Sequence, residues 1–263
     1  MKIVSWNVNS LNVRLPHLEA WLSSARPDVV ALQETKLEDA RFPDGEIAAM
    51  GYRSVFAGQK TYNGVAILAR MDGPAAGGLQ DVQAGIPGFD DEQKRVLAAT
   101  VNGVRIVNVY VVNGQSVGTD KYAYKLRWLD ALHDWLAQEV LRYPKLVLLG
   151  DFNIAPDDRD VHDPVVWHDG HILTSTAERD ALRRLYALGL HDAYRALVPD
   201  GTEFSWWDYR QFALRRNLGL RIDLTLVSEA LRGDCIAAGI DRDPRTWERP
   251  SDHAPAWVEI AAR

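Results

Sequence analysis

Acidic and amide side chains follow several short apolar runs of this sequence, at the point where each run ends. Glu34 comes directly after the run 28–33, and Asp151 and Asn153 follow the run 145–150. Carboxylate and amide oxygens, with no cysteine nearby, are the ligands that hard cations such as Mg²⁺ or Mn²⁺ prefer. The pattern predicts a divalent metal site with Glu34 as its strongest ligand candidate. Because Mg²⁺ is usually held by one or two carboxylates together with substrate phosphate oxygens, it also predicts a phosphate ester as substrate.

A carboxylate and a histidine stand out by their settings. Asp223 lies inside the apolar run 222–227, where an unpaired carboxylate is costly to bury. It requires a partner, either the neighbouring Arg221 or a histidine elsewhere in the chain. Among seven histidines, His253 has the setting best suited to a fixed imidazole, because Asp252 precedes it and prolines stiffen the loop on both sides.

A second group of titratable residues lies in a polar stretch and is a competing candidate for a metal site. Its members are three histidines and two aspartates: His162, His168, His171, Asp163 and Asp169. Their spacing is irregular, whereas zinc sites usually show tighter ligand patterns. The sequence therefore disfavours a metal at this group.

Short strands must position these side chains. Runs rich in Val, Ile and Leu predict strands at 2–8, 28–33, 64–69, 104–112, 145–150 and 222–227, with a hairpin from 96–101 to 104–112 and a last strand at 257–260. Apolar residues at three- and four-residue spacing predict helices at 14–24, 122–141 and 178–187. Strands interleaved with helices indicate a layered α/β architecture with a mixed sheet or a pair of sheets.

Isolated polar residues after a strand are typical of turns and helix caps, and Asn7, Asn9 and Asn153 each allow that interpretation. Their repetition at several strand ends favours a binding edge instead, because open α/β sheets bind ligands outside the carboxyl ends of their strands. If the chain stays extended, Asp151 and Asn153 project from the same face. Gly150 leaves room for another group to approach closely.

Composition places the chain among globular proteins. Its 263 residues are 47% hydrophobic and 25% charged, values that exclude a disordered, collagen-like or disulfide-framework protein. The sequence has no apolar stretch of roughly 18 residues, which a membrane span requires, and no linker-like tract. We therefore expect a single soluble domain over residues 1–263, monomeric by default and without a membrane partner. The lone Cys235, predicted to be a small buried hydrophobe, fits the reducing cytoplasm.

The net charge of −6 argues against polyanion binding by the whole surface, so an anionic substrate needs local positive charge. The candidates are two short basic segments, Arg215-Arg216-Asn217 and, at the start of the long helix, Lys121, Lys125 and Arg127. Basic residues on a helix usually form a solvated face. The neighbouring aromatic residues Trp206, Trp207 and Tyr209 favour stacking on bases or sugars at the first segment.

Six motifs, in order along the chain, resemble the exonuclease III family of abasic-site endonucleases, a branch of the endonuclease/exonuclease/phosphatase superfamily. They are SWNVNSL (5–11), LQETK (32–36), NVYVVNG (108–114), LLGDFNIAP (148–156), GLRIDL (219–224) and SDHAP (251–255). The resemblance implies a four-layer α/β sandwich, with two mixed sheets face to face and helices outside. It further implies a Mg²⁺-dependent DNA repair phosphodiesterase that cleaves duplex DNA 5′ to abasic sites and removes nucleotides or blocking groups from 3′ ends.

The resemblance also implies roles for individual residues. Around the metal it places Glu34 as the main ligand, with Asn7, Asp151, Asn153 and Asp252 beside it. In catalysis, it implies that Asp151 positions or deprotonates the attacking water with help from Asn153 and Asn7, and that His253, oriented by Asp223, contacts the scissile phosphate together with Tyr110 and Asn113. The resemblance predicts DNA contacts at Asn113, Trp206 and Leu220, of which Trp206 and Leu220 line a pocket for the baseless sugar. The basic segments predict further DNA contacts at Lys121, Arg216 and Asn217.

Two other functions stay open at this stage. A phosphatase or phosphodiesterase of the same superfamily would act on a small-molecule or lipid phosphate, but the aromatic stretch at 204–210 counts against it. A DNA-binding module without catalytic activity would keep the fold alone. Such a module has no physical need for this many acidic groups at one anion-binding edge.

Overall fold

Two six-stranded β-sheets lie face to face in the computed structural model of the chain, which describes residues 1–261. The strands within this part of the chain are β1 (Lys2–Asn7), β2 (Val29–Gln33), β3 (Tyr52–Ala57), β4 (Val65–Arg70), β5 (Gln80–Ala84), β6 (Val96–Val101), β7 (Val104–Tyr110), β8 (Leu146–Asp151), β9 (Leu190–Asp192), β10 (Trp206–Trp207), β11 (Gly219–Leu220), β12 (Asp223–Ser228), β13 (Cys235–Ile240) and β14 (Ala256–Ile260). The first sheet has the order β13-β14-β1-β2-β4-β3 and the second the order β5-β6-β7-β8-β12-β9, while β10 pairs with β11 alone.

Both sheets are mixed, and this sets which strand ends meet. β1 runs parallel to β2 and β7 parallel to β8, whereas β14 is antiparallel to β1 and β12 is antiparallel to β8. The carboxyl ends of β1 and β2 therefore lie beside the amino end of β14, and those of β7 and β8 beside the amino end of β12. A hydrogen bond from Asn7 at the end of β1 to Asp151 at the end of β8 joins these two groups of strand ends.

Helices cover the outer faces of the two sheets. They are α1 (Leu11–Ala25), α2 (Asp44–Ala49), α3 (Asp120–Arg142) and α4 (Thr176–Ala187). The shorter α5 (Ala193–Leu197) and α7 (Glu229–Arg232) contribute to the core between the sheets, and α6 (Ala213–Arg216) packs against Trp207 of β10. α1 packs on the first sheet through Trp21, and α3 packs on the second through Leu132, while Ile3 and Ile106 lie in the core between the sheets. The order helix, sheet, sheet, helix confirms the four-layer sandwich. Among the helices of residues 1–261, none is both long and apolar enough to cross a membrane.

Local signals explain where the predicted helices begin. The Thr119 side chain accepts a hydrogen bond from the Tyr122 N–H and starts α3, and Ser175 and Glu178 form a reciprocal capping box at the start of α4. All three predicted helices are present, and each begins two or three residues earlier than the apolar spacing indicated. The cap residues are polar, so apolar periodicity does not detect the first turn.

The predicted strands and the hairpin are present, but the sequence analysis missed several strands. β5 is an exposed, polar edge strand, β13 is rich in Ala and Gly, and β9 has only three residues. The β-branched residues of β5 and β13 are not buried, with Val82 and Ile236 exposed, so these strands lack the pattern that marks buried strands. Cys235, predicted to be a small buried hydrophobe, packs against the core but is only half-buried, because it begins the edge strand β13.

Candidate active site

Five side chains from the two sheets meet where the strands end. Asn7 ends β1 and Glu34 follows β2, while Tyr110 and Asp151 end the neighbouring strands β7 and β8 in register with each other. Asp223 begins β12 directly opposite Asp151. Because the backbone of each residue belongs to a sheet or adjoins one, the side chains are held at fixed positions. We refer to these five residues and His253 as the strand-end site.

His253 lies in the loop before β14 and is anchored to β1. The Ser251 hydroxyl donates to the Asn7 carbonyl (2.6 Å) and accepts from the His253 N–H (3.2 Å). The Trp6 indole donates to the His253 carbonyl (3.3 Å). These bonds fix the backbone of the predicted imidazole at the end of the first sheet.

Asp223 pairs with His253 and not with Arg221, the two partners that the sequence left open. Nδ1 of His253 lies 2.8 Å from Oδ2 of Asp223. Arg221 instead forms ion pairs with Asp160 (2.6 Å) and Asp192 (2.8 Å). The negative charge of Asp223, in a buried strand of the second sheet, is thus balanced by the His253 imidazole from the loop before β14 of the first sheet.

The pair also sets the charge on the imidazole. Burial alone lowers the pKa of His253, but the negative charges of Asp223 and Asp151 outweigh it and hold this pKa above its usual value. Nε2 of His253 lies 3.7 Å from Oδ2 of Asp151. The ring is therefore a buried cation between two carboxylates.

Asn7 joins the two carboxylates of the parallel strand ends. Its Nδ2 donates to Oε1 of Glu34 (3.1 Å) and to Oδ2 of Asp151 (2.9 Å). The Tyr110 hydroxyl also donates to Glu34 (2.7 Å), and the Lys36 ammonium lies 2.9 Å from the other Glu34 oxygen. Burial opposes ionisation of Glu34, but Lys36 and the hydrogen bonds together hold its pKa below the usual value.

Tyr110 stays a neutral donor. Burial and then the nearby charges of Glu34 and Asp151 raise the pKa of Tyr110 well above its usual value. The Arg95 guanidinium stacks over its ring at 4.6 Å and donates to its carbonyl (3.2 Å). The phenol is therefore fixed in place and able to donate to an anion.

Asp151 and Asn153 belong to a turn, so the extended chain on which a shared face depended is not present, and the turn interpretation of Asn153 is the one that the structure shows. Asn153 has a left-handed backbone (φ +47°), and its N–H donates to Oδ1 of Asp151 (2.9 Å). The Asn113 amide donates to Oδ1 of Asn153 (3.0 Å). Burial raises the pKa of Asp151, and the positive charge of His253 offsets this only in part.

At Gly150, an added Cβ would lie 1.8 Å from the Val109 carbonyl oxygen, which confirms the predicted close approach.

Asp252 lies beside this group and is held by other partners. Its two carboxylate oxygens accept hydrogen bonds from the Asn9 amide (2.9 Å) and the Trp206 indole (3.0 Å). Asn9 in turn accepts from Lys36 (2.6 Å), the lysine that pairs with Glu34. Asp252 is therefore connected to Glu34 through two residues, and its role as a metal ligand stays a prediction.

The donor set at the strand ends fits a hard cation. One ligand atom each from Asp151, Asp223 and His253 lies within 4.8 Å of the others, which makes a group that could hold a metal ion. A protonated His253 has no free lone pair, so the carboxylate oxygens are the donors. Oδ1 of Asp223 is buried without a hydrogen-bond partner, and an oxygen of this kind is satisfied by a cation.

The competing histidine group shows no such arrangement. Among residues 1–261, Asp151, Asp223 and His253 are the one cluster of His, Cys, Asp and Glu residues whose ligand atoms could hold a metal ion. Nδ1 of His162 lies 3.2 Å from the Gly219 carbonyl, and the rings of His168 and His171 meet edge to face at 4.7 Å. That this group binds no metal stays a prediction.

Comparison with known proteins agrees with this geometry. The model of the endonuclease/exonuclease/phosphatase family matches residues 4–253. This chain belongs to that family. Exodeoxyribonuclease III of Haemophilus influenzae is 35% identical over 272 residues, which cover 99% of this chain and 100% of that protein.

Solved structures of the endonuclease/exonuclease/phosphatase family share the whole fold. A 3′ phosphatase from Neisseria, bound to a product DNA hairpin, superposes with a TM-score of 0.95 at 47% identity. An AP endonuclease from Archaeoglobus fulgidus superposes with a TM-score of 0.94 at 34% identity. In both cases the match covers 100% of each chain.

The predicted DNA contacts of this family member flank the strand-end site on two sides. Asn113 and Lys121 are exposed and line one groove together with Arg95. On the other side, Trp206 and Leu220 are paired between β10 and β11, and Arg216 and Asn217 are exposed at the end of α6. Trp206 is half-buried, whereas Leu220 is fully buried and packs against it. Trp206 therefore presents the accessible surface of this pair.

Lys125, one of the basic candidates on the long helix, is neither on a solvated face nor accessible to a ligand. Its side chain is fully buried, and its ammonium donates to the carbonyls of Asn113 (3.2 Å) and Asn153 (2.7 Å) and pairs with Glu178. Spacing on a helix shows that Lys125 and Lys121 share a face, but it does not show where a neighbouring loop covers that face. The nearby Arg127 is exposed.

The sequence analysis missed the residues that hold the charged groups in place. Lys36 is part of the LQETK motif, and its charge two residues after Glu34 is the signal that could have found it. Ser251 precedes Asp252 and His253 in a proline-bracketed loop, where a hydroxyl commonly bonds the backbone. Asn9 was noted only as a strand-end residue, and its link to Asp252 joins positions too distant in sequence to be inferred.

Proposed function

We propose that this family member is a metal-dependent DNA repair phosphodiesterase that incises duplex DNA 5′ to abasic sites and removes nucleotides or blocking groups from 3′ ends. One observation carries the proposal. The Asn7 amide joins the carboxylates of Glu34 and Asp151, and the buried His253 cation lies beside them in a pair with Asp223. This arrangement presents acidic oxygens for a cation and positive charge for an anion at the same strand ends.

The phosphate is bound by the donors of the site. A phosphodiester is negatively charged and repels a nucleophile, so catalysis requires donors aimed at the phosphate oxygens. The His253 imidazolium supplies charge and Asn113 supplies an N–H, while Tyr110 supplies its single O–H by turning it from Glu34 to the phosphate. Asp223 keeps the His253 ring oriented and charged.

Asp151 acts on the attacking water. Its carboxylate is buried and its pKa is raised by that burial, which makes it a stronger base than a surface carboxylate. The backbone and side chain of Asn153 lie in the turn that follows, where they fix the carboxylate and assist in orienting the water. General base catalysis of this kind contributes roughly 10²- to 10⁴-fold to a rate.

The cofactor in this proposal is Mg²⁺, for which Mn²⁺ can substitute. Glu34 is the main ligand, with Asn7, Asp151, Asn153 and Asp252 around it, since carboxylate and amide oxygens suit a hard cation. When bound, Mg²⁺ polarises a phosphate oxygen and stabilises the departing 3′ oxygen. The unpartnered Oδ1 of Asp223 supports a cation in this neighbourhood.

The DNA is held by positive and aromatic side chains around the site. Arg215 and Arg216 are exposed beside Phe212, whose ring is 78% exposed, and Lys121 is exposed on the other side. Local basic residues of this kind bind backbone phosphates and offset the overall net charge of −6. Trp206, with Leu220 behind it, forms the wall against which a baseless sugar packs. A monomeric state and a cytoplasmic location complete the proposal.

The deciding experiment is cleavage of an end-labelled duplex that contains one abasic-site analogue, beside an intact duplex, with Mg²⁺ and with a chelator. We expect metal-dependent incision 5′ to the analogue. Shortening of the intact duplex measures the exonuclease activity, and release of phosphate from a 3′-phosphorylated duplex measures the removal of blocking groups. An Asp151→Asn protein purified in the same way controls for contaminating nucleases.

The alternatives give different results in the same experiment. A protein that binds both duplexes and cleaves neither would be a catalytically silent DNA-binding module. A protein that neither binds nor cleaves DNA, but hydrolyses small phosphate esters, would be a phosphatase of the same family. Either result contradicts the proposal.

A further inference from the structure

Lys125, in the first turns of α3, is a buried ammonium that contacts two loops next to the strand-end site. Its Nζ donates to the Asn153 carbonyl (2.7 Å) and to the Asn113 carbonyl (3.2 Å). Its side chain is 0% exposed, as is that of its ion-pair partner Glu178. All three N–H donors of the ammonium thus have acceptors, and two of these acceptors belong to residues predicted to act on the phosphate or the water.

Glu178 extends the connection to a third segment. One of its carboxylate oxygens accepts from the Leu173 N–H (3.1 Å), and the other accepts from the N–H (3.1 Å) and the hydroxyl (2.6 Å) of Ser175. The Tyr122 hydroxyl, on the same helix as Lys125, bonds to Ser175 (2.7 Å). The Lys125–Glu178 pair therefore holds the loops after β7 and β8 and the loop before α4 against one another.

The packing around Lys125 leaves little freedom for these loops. At Gly114 an added Cβ would lie 3.1 Å from Cδ of Lys125 and 3.0 Å from Cδ1 of Ile172. The Asn113 and Asn153 side chains are also bonded to each other (3.0 Å), and Asn153 has a left-handed backbone. A shift of the backbone carbonyl of Asn113 or Asn153 would therefore turn the side-chain amide of the same residue away from its present direction.

A buried ion pair adds little net stability, because the loss of hydration of the two charges offsets their attraction. Its distinctive contribution is directional, since an ammonium offers three N–H donors that an apolar side chain lacks. We propose that Lys125 is a positioning residue which, together with Glu178, sets the orientation of the Asn113 and Asn153 amides for phosphodiester cleavage. This inference rests on the proposed function.

The test separates charge balance from positioning. Lys125→Met alone leaves a buried, unpaired Glu178 and is expected to destabilise the protein, so the informative variant is the double substitution Lys125→Met/Glu178→Gln, which removes both charges. In this variant the two carbonyls have lost their donor. We expect kcat on the abasic duplex to fall by about tenfold to a hundredfold, as for small misplacements of reacting groups, while the KM for DNA changes by less than about threefold.

A second buried ion pair provides the matched control. Arg105 pairs with Glu139 at 2.9 Å, and it is the second residue of β7, near the opposite end of the strand from Tyr110. The double variant Arg105→Met/Glu139→Gln removes a comparable pair without touching the loops. Its kcat is expected to equal that of the wild type, with thermal unfolding recorded for both double variants.

A readout independent of activity is the nuclear magnetic resonance signal of the Asn113 and Asn153 side-chain amides. We expect these resonances to shift or broaden in the Lys125 double variant and to stay unchanged in the Arg105 control. Wild-type kcat and unchanged amide resonances in a folded Lys125 double variant would overturn the inference, as would an equal loss of kcat in the control. If the wild-type protein cleaves no DNA, the proposed function fails, and the amide resonances still test the positioning.

Discussion

The strand-end site and the segment 204–217, which we call the aromatic-basic segment, place their functional side chains in contrasting ways. Asn7, Asp151 and Asp223 are buried at the ends of sheet strands, and strand register places Asp151 directly opposite Asp223. The aromatic-basic segment instead presents Tyr209 (51% exposed) and Phe212 (78% exposed) to solvent. One region holds charges at fixed distances, and the other offers surface to a large ligand.

Backbone conformation sharpens this difference. In the aromatic-basic segment, Gln211 and Phe212 are both left-handed (φ +57° and +52°), a conformation that costs about 1–3 kcal/mol per non-glycine residue. In the strand-end site Glu34 is left-handed as well (φ +52°), but its carboxylate is held by three other side chains. The left-handed backbone at Glu34 thus belongs to a residue whose charge is held in place, whereas the left-handed backbone at Phe212 belongs to a residue whose ring is exposed.

The largest expected effect is that of Asp151→Asn, which keeps the shape of the side chain and removes its basicity. We expect kcat on the abasic duplex to fall by about 10²- to 10⁴-fold, since a general base is lost. The KM for DNA should change by only a few-fold, because the aromatic-basic segment is untouched. Steady-state kinetics measures both constants, and a kcat within threefold of the wild type would remove Asp151 from its role.

The second-largest effect is expected for Asp223→Ala. Its kcat should fall by about 10²-fold, because His253 loses the carboxylate that orients the ring and favours its positive charge. The Asp223 side chain does not reach the DNA surface, so the KM should again change little. Single-turnover cleavage at saturating enzyme gives the rate, and thermal unfolding identifies any loss of folded protein. Equal rates for variant and wild type would show that the His253 pair is not used in catalysis.

Glu34→Gln is expected to act mainly on the metal requirement. The substitution removes the negative charge of the main predicted ligand, so the Mg²⁺ concentration for half-maximal cleavage should rise by about tenfold or more. Excess Mg²⁺ should recover much of the rate, in contrast to Asp151→Asn. A metal titration of cleavage is the measurement, and an unchanged titration curve would place the metal elsewhere.

The smallest effects are expected in the aromatic-basic segment. Arg216→Ala should lower the slope of log affinity against log salt by about 1, as for the loss of one phosphate contact. Phe212→Ala should weaken DNA binding by at least about fivefold, since stacking of a base on an aromatic ring contributes about 1–3 kcal/mol. Both variants should keep the wild-type kcat.

Val82→Ala is the control for these two variants, because Val82 is an exposed apolar residue on the edge strand β5. Fluorescence anisotropy at several salt concentrations measures the affinities. If Arg216→Ala and Phe212→Ala bind as tightly as Val82→Ala at every salt concentration, the DNA lies against another surface. A fall in kcat for either variant would mean that the two regions are not separable.

The strand-end site was predictable from sequence because its residues mark the ends of apolar runs. Glu34 and Asp151 each follow such a run, and Asp223 interrupts one. At each position a charged side chain therefore lies within or next to a segment whose apolar residues indicate burial. The resemblance to a known family added the four-layer order of the sheets and helices. Strand register then explains why positions distant in sequence meet, as for Asp151 opposite Asp223.

The connections between these residues were not predictable, because they depend on loops that pass over the sheet ends. Local spacing gives no information on whether a loop covers Lys125, and it is buried where a solvated lysine was expected. The sequence left open whether Asn153 continues the strand or lies in a turn, and its N–H bonds to Asp151 in a turn. The edge strands β5 and β13 lack buried β-branched residues, and periodicity is weakest in such strands.

The pairing of β14 between β13 and β1 has a consequence for protein synthesis. The ribosome synthesises Asn7 and Glu34 well before Ser251, whose hydroxyl bonds to the Asn7 carbonyl, and before His253. A nascent chain that has not reached Ser251 can pair β1 with β2, but it lacks β14 on the other side of β1 and leaves Asp223 without its imidazole. The order of translation thus withholds the assembled site from a chain of that length, and we expect nuclease activity only after β14 has docked.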